Sequence, residues 1–282
     1  MTTDRETVLR ADYGLDAPEL IRFCFAASLG LALLGFAVAG LVPASAVARA
    51  GGALIIAASL LPLVLGLSLL AYGHTGKLRV RDALLDMVPW TGTESVLDVG
   101  TGRGLMLIGA AKRLTTGRAT GVDIWNASDL SGNCLGNLKR NIDIEGVAGR
   151  ADVMTADARK LPFPDASFDV IFSLLCLHNI HDAAGRRAAC QEMARVLKPG
   201  GIALIGDYAG AGDYAAAFVQ AGLRVYPRLS LTREALSLMS LVHVRRHGIA
   251  GAPLPARTGP AVSGQAAPVQ RFAAAISGTV DA

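Results

Sequence analysis

Residues 1–20 mix acids and bases, with Asp4, Glu6, Asp12, Asp16 and Glu19 set against Arg5 and Arg10, and then the pattern changes abruptly. Phe23 to Val42 is a run of twenty residues without a charge, and Gly51 to Gly73 is another of twenty-three. At ~1.5 Å rise per residue each run reaches ~30 Å as a helix, the depth of a hydrocarbon core. Pro62 and the glycines of the second run are tolerated in a membrane helix where neighbours satisfy the freed backbone. The link from Pro43 to Ala50 is so short that two such helices must form an antiparallel hairpin with both ends on one side. A polar segment over 1–20 and a membrane hairpin over 21–73 are therefore expected.

From Leu78 the pattern becomes strand and helix in alternation, which implies a parallel sheet covered on both faces. Arg81 to Val88 suits a helix, Ser95 to Val99 a first strand, and Leu105 to Leu114 its crossover helix. Arg118 to Ile124 reads as the second strand, and a helix from about Asp129 to Glu145 stops at Gly146. Ala151 to Thr155 is the third strand and Phe168 to Leu175 the fourth, separated by a loop whose Pro162 and Pro164 exclude a central strand. A helix from Asp182 to Leu197 leads through Lys198-Pro199-Gly200-Gly201 to a fifth strand, Ile202 to Gly206. A helix over Tyr214 to Ala221 precedes Leu223 to Tyr226 and Leu241 to Arg245, which fit late strands of the sheet, one of them antiparallel. The Ala-, Gly- and Pro-rich tail, 248–282, reads as mostly disordered, with a short helix fitting near Val269 to Ile276.

Composition agrees with a membrane segment: 52% of the residues are hydrophobic and the mean hydropathy is +0.42. The net charge of +4 is mild, and no Lys/Arg block with interleaved aromatics argues for nucleic acid. Cys24, Cys134, Cys176 and Cys190 are scattered without metal spacing, so no metal is expected. Ala44-Ser45-Ala46 looks like a signal-peptidase site, but the charged region before it is long and net acidic, and a second spanning-length run follows. Burial of both runs in a soluble core is the other alternative. Lys77, Arg79 and Arg81 follow the second run while Arg49 stands alone in the link, which places the C-terminal part in the cytoplasm by the positive-inside rule.

The chemistry centres on Val96-Leu97-Asp98-Val99-Gly100-Thr101-Gly102-Arg103-Gly104. A short buried strand is followed by three glycines at every second position and then a helix, a turn that lets a ligand approach the main chain closely. The dinucleotide fingerprint needs its third glycine one residue later, where Leu105 stands. Asp123 closes the second strand 23 residues after Gly100, where a carboxylate can accept ribose hydroxyls; a capping or surface acid is the alternative. His178 and His181 lie past the fourth strand and could serve as a base, as substrate contacts or as structural side chains.

Residues of about 77–247 resemble the class I S-adenosylmethionine (SAM) methyltransferases, in the branch acting on quinones, sterols and small molecules. The resemblance is carried by D-V-G-T-G-R-G (98–104), G-V-D-I-W (121–125), T-A-D-A-R-K-L-P-F-P-D-A-S-F-D-V-I-F-S (155–173), L-H-N-I-H-D (177–182) and R-V-L-K-P-G-G (195–201), in that order. It implies a Rossmann-like α/β fold over 74–247, with SAM as cofactor. It also implies a cofactor site of Asp98, Gly100, Thr101, Gly102, Gly104, Asp123, Ile124, Trp125, Asp157 and Ala158. Asp123 would take the ribose, Asp157 with the Ala158 backbone the adenine, and Ile124 and Trp125 would flank it. Asp98 would order the loop. His178 is the candidate catalytic residue, placed opposite the sulfonium methyl. Methyl transfer is an in-line displacement that mainly needs alignment, and a base only where the nucleophile must lose a proton. The expectation is a two-pass protein of the cytoplasmic membrane acting on a small acceptor, lipid or quinone-like. A non-catalytic SAM-binding membrane protein and a nicotinamide-dependent oxidoreductase are the rivals.

Overall fold

Two long helices open the computed structural model, which describes residues 10–41 and 45–247. They are α1 (Pro18–Leu41) and α2 (Ala46–Ala71), and they pack against each other as a hairpin. Their backbones touch where two glycines meet: a Cβ on Gly35 would lie 2.7 Å from the Gly52 carbonyl oxygen. Small residues allow that approach, and dispersion between the closely set backbones stabilises it. The outer faces are bare. Only 17% of the most apolar window of α1 and 11% of that of α2 is buried, so most of each helix is left uncovered by the other described residues.

The second helix does not stop at Gly73, where the sequence suggests a boundary. It passes through one π turn (Tyr72–Gly76) directly into α3 (Lys77–Asp86), the first helix on the sheet. Packing overrides the weak helix propensity of this Gly-His-Thr-Gly stretch. A Cβ on Gly73 would meet the Leu15 side chain at 2.5 Å, and one on Gly76 would meet the Ala235 carbonyl oxygen at 2.3 Å. The hairpin and the sheet are thus joined by continuous helix.

The sheet has strands β1 (Ser95–Val99), β2 (Arg118–Asp123), β3 (Ala151–Thr155), β4 (Phe168–Leu174), β5 (Leu197–Asp207), β6 (Arg224–Val225), β7 (Leu229–Ser230) and β8 (Ser240–Arg245). Their order is β3-β2-β1-β4-β5-β8-β6, with β7 also on β8. Strands β1 to β5 are parallel and β8 is antiparallel, the mixed Rossmann-like arrangement expected. Apolar runs such as Val96-Leu97 and Val170-Ile171-Phe172 are buried on both faces, as a covered parallel sheet requires. The crossovers are α4 (Leu105–Ala111), α5 (Leu135–Ile144), α6 (Ala183–Val196) and α7 (Ala211–Gln220), and a short α8 (Thr232–Ala235) precedes β8.

Several boundaries differ from the expected ones: α3 runs over Lys77–Asp86 where Arg81 to Val88 is expected, and α4 ends at Ala111 instead of Leu114. Helix α5 starts at Leu135 instead of Asp129, because residues 129–133 turn, with Gly132 at φ +66°, and bond to the N-terminal segment. Strand β5 begins at Leu197, five residues early, with a register shift opposite Phe168 and Val170. Helix α7 starts at Ala211, three residues ahead of Tyr214. Asp182 caps α6 as expected, accepting from Gly185 N–H at 2.6 Å. The tail over 248–282, including the short helix near Val269 to Ile276, lies outside the described residues.

The register sets the direction of everything that follows. Strands β1, β2, β4 and β5 end on one edge of the sheet, and α3 begins on that same edge at Lys77, beside the hairpin. The carboxyl ends of the parallel strands therefore face α1 and α2.

Candidate functional site

A cleft opens at the carboxyl ends of β1, β2 and β4, where ligands bind in open α/β sheets. Its floor is the loop after β1. Gly100, Gly102 and Gly104 have φ of +75°, +54° and +91°, the left-handed region that residues with a Cβ rarely adopt. At Gly100 the space is closed as well, since a Cβ there would lie 2.4 Å from Cys176 Sγ at the end of β4.

Two buried carboxylates shape that loop. Asp98 Oδ2 accepts from Thr101 Oγ1 at 2.8 Å and from Leu107 N–H at 2.9 Å. Burial pushes the Asp98 carboxyl up to about 7, against the lowering effect of those two bonds. Asp123, at the end of β2, accepts from Gly102 N–H at 2.8 Å and Trp125 N–H at 2.7 Å, and from Asn133 Nδ2 at 3.3 Å.

Most of the residues named from sequence come together here. Asp98, Gly100, Thr101, Gly102, Asp123, Ile124, Asp157 and Ala158 all line the cleft. Both Asp157 oxygens are engaged by Arg159, at 2.6 to 3.0 Å, and those bonds hold its carboxyl below the usual range. Gly104 lies beneath the floor as the first residue before α4, packed on Leu138. Trp125 does not line the cleft: its indole N–H donates to Thr155 Oγ1 at 2.7 Å and its ring packs on the core under β3. His178 stands just behind the wall formed by Cys176, Asn179 and Ile180. Its Nδ1 is 2.8 Å from Asp207 Oδ1, at the end of β5, and its ring lies 4.3 Å from that of Tyr208. Asp207 is almost wholly buried and also accepts from Tyr208 N–H at 2.8 Å and Tyr214 O–H at 3.3 Å, which fixes its orientation.

The sequence pattern did not reveal the opposite wall. Residues 12–17 cross the mouth as a strap. Asp12 exchanges backbone bonds with the Asn141 side chain and pairs with Arg103 at 2.8 Å. Leu15 bonds to Ser131, and Asp16 bridges to Leu130. Lys77, buried at the start of α3, donates to the carbonyls of Tyr13 and Gly14 and sits 3.4 Å from Asp16. Burial raises the Asp16 carboxyl and Lys77 opposes the rise. Tyr13, Asp16, Tyr72 and Lys77 line the cleft.

The lining suits the expected cofactor. Asp16, Asp98, Asp123, Asp129 and Asp157 line the cleft with Lys77 and Arg103; burial favours the protonated form of Asp16 and Asp98 and Arg159 pairs with Asp157, which leaves Asp123 and Asp129 as the carboxylates that would oppose a pyrophosphate. Asn133, beside Asp123, keeps a buried Oδ1 without a hydrogen-bond partner, an acceptor held next to the Asp123 carboxylate. No group of three or more metal-ligating side chains occurs among the described residues.

Residues 96–201 match a family described as a methyltransferase domain. The chain is 33% identical over 130 residues to a 27-O-demethylrifamycin SV methyltransferase of Amycolatopsis mediterranei, covering 46% of this chain and 44% of that one. It is 34% identical over 151 residues to a demethylmenaquinone methyltransferase of Tropheryma whipplei, covering 53% and 57%. The chain thus spans about half the length of the curated relatives it matches. Among solved structures, a [4+2]-cyclase shares the fold at a TM-score of 0.50 and 17% identity, covering 61% of this chain and 82% of that one.

Proposed function

We propose, from the match of residues 96–201 to a methyltransferase domain, that the chain is a membrane-anchored SAM-dependent methyltransferase acting on a small, apolar acceptor. The observation that carries the reading is the shared edge: the cleft opens on the side of the sheet from which the hairpin rises, with Tyr72 belonging to both. An acceptor dissolved in the bilayer would then have a short way to the reacting atoms. The relatives are named as methyltransferases of 27-O-demethylrifamycin SV and of demethylmenaquinone, which supports a small-molecule acceptor. Arg79, on the exposed side of α3, and Arg81 favour a cytoplasmic domain, whereas Lys77 is turned inward to the strap.

Bound SAM supplies an electrophilic methyl group on a positively charged sulfur. The chain's part is to hold that group and to exclude water. Asp123 and Asn133 would hold the ribose, Asp157 the adenine edge, and the strap with Asp16 and Lys77 would close the mouth. Where the acceptor is a hydroxyl or an acidic carbon, His178 would take its proton on Nε2, because Nδ1 is held by Asp207. Asp207 acts through His178 as a positioning residue.

The test is transfer of labelled methyl from SAM to a total lipid extract by the full-length protein, beside Gly100→Val. Label in the organic phase, absent from the variant, is expected. Label only in water-soluble material would overturn the apolar acceptor, and none anywhere with SAM still bound would favour a non-catalytic binding role. For the base, Asp207→Asn should lower kcat and displace its pH profile while leaving the KM for SAM unchanged.

A further inference from the structure

We propose that the tip Leu236–Leu238, between α8 and β8, is a third contact with the bilayer, seated among acyl chains beside α2. The inference rests on the reading that α1 and α2 cross a membrane.

Depth is set by one bond. Ser68 Oγ donates to the Leu236 carbonyl oxygen at 2.6 Å, and Ser68 lies three residues before the end of α2, inside its uncharged run. Whatever surrounds that last turn of α2 surrounds the tip. The tip carries two bare leucines on either side of Ser237: Leu238 is 77% exposed and Leu236 39%, and the Ser68 bond sets them beside α2, whose Leu65 and Leu67 are exposed as well. Exposed apolar surface on two adjoining elements marks an interaction face. Leu236 also holds φ +56°, a left-handed conformation that residues with a Cβ rarely adopt.

The flanks fit a headgroup layer. Arg228 and Arg233 are exposed on either side of β7, and an anionic leaflet attracts such cations by about 1 kcal/mol each. The segment is anchored on the cleft edge of the sheet, since Ser240 pairs with both Ser230 and Asp207. Helix α8 presses on Gly76, one turn from Tyr72 in the cleft wall. A tip seated in lipid would hold the mouth against the membrane surface and keep the domain from rocking about the hairpin.

Leu238→Trp, Leu67→Trp and Val219→Trp would each be made in the full chain and reconstituted in nanodiscs of phosphatidylcholine and phosphatidylglycerol. Emission is read with and without acyl-chain-brominated phosphatidylcholine, and the signal of the parent protein's Trp90 and Trp125 is subtracted. Val219 is exposed on α7 near the far edge of the sheet and serves as the dry reference. Expected is a loss of emission at 238 comparable with that at 67, and none at 219. Quenching at 67 with 238 behaving like 219 would overturn the tip contact and leave the hairpin in the membrane. No quenching even at 67 would overturn the hairpin reading and the tip contact with it.

Discussion

The two walls of the cleft are built in different ways. The wall made by the loop after β1 and the ends of β2 and β3 uses residues close to one another in the chain, and its bonds are local: Thr101 to Asp98, Gly102 to Asp123, Arg159 to Asp157. The wall made by the strap uses partners far apart, Lys77 with Tyr13 across 64 positions and Asn141 with Asp12 across 129. A local wall forms whenever the α/β units fold. A wall of distant partners forms only when the N-terminal segment, α3 and α5 are all in place.

The largest effect is expected on the local wall. Gly100→Val forces a β-branched residue to φ +75° and drives its Cβ into Cys176, with strain of ~1–3 kcal/mol from the backbone alone. SAM binding, read by calorimetry, should be lost while the helical circular dichroism is kept. Retained affinity would mean that the cofactor does not lie over this loop.

The strap is tested by Lys77→Met. Removing one partner of a buried ion pair costs roughly 3–5 kcal/mol, and the partial exposure of Asp16 lowers the expectation to roughly 2–3 kcal/mol. Melting temperature and SAM affinity should both fall. Adding Asp16→Asn, which removes the stranded charge, should restore part of the loss. If Lys77→Met lowers stability with SAM affinity unchanged, the strap is a brace and does not close the site.

The same contrast explains what could be read from the chain beforehand. The glycine loop announces itself because only glycine serves at those φ values, and Asp123 because an acid closing a strand has few other uses there. The alternation of strand and helix is legible because the motifs are met one α/β unit after another. The strap could not be read, because 10–17 has no periodicity and its partners at 77, 103, 131 and 141 become neighbours only through the fold. Nor could the unbroken helix from α2 to α3, where Gly73 and Gly76 signal a stop by propensity but are there to admit Leu15 and Ala235. Asp207 lacked any signal, since its meaning comes only from His178 beside it. Trp125 was expected beside the adenine, and instead a left-handed φ of +62° turns its ring to Thr155.

Asp123→Asn should have a smaller effect than either change above. The amide keeps an acceptor for one of the two backbone N–H groups and loses the charge and the second acceptor, at about 1–3 kcal/mol. SAM affinity should fall on the order of 10–100-fold, and the melting temperature by a few degrees. An unchanged affinity would remove Asp123 from the cofactor site.

The smallest effect separates folding from binding within the local wall. Asp98 titrates at about 7 in the folded chain and near ~3.9 when unfolded, so the folded state binds its proton more tightly. Its contribution to stability is therefore complete below about pH 4 and is lost as pH rises through 7, with a slope of at most ~1.4 kcal/mol per pH unit. In Asp98→Asn the amide oxygen still accepts from Thr101 and Leu107, and that slope should vanish. Between pH 4 and 8 the parent protein should therefore lose melting temperature relative to Asp98→Asn, the difference moving in the variant's favour as the buried carboxyl ionises. Parallel curves would mean that the loop's N–H and O–H donors already hold Asp98 ionised throughout, with the burial cost fully offset by the two hydrogen bonds.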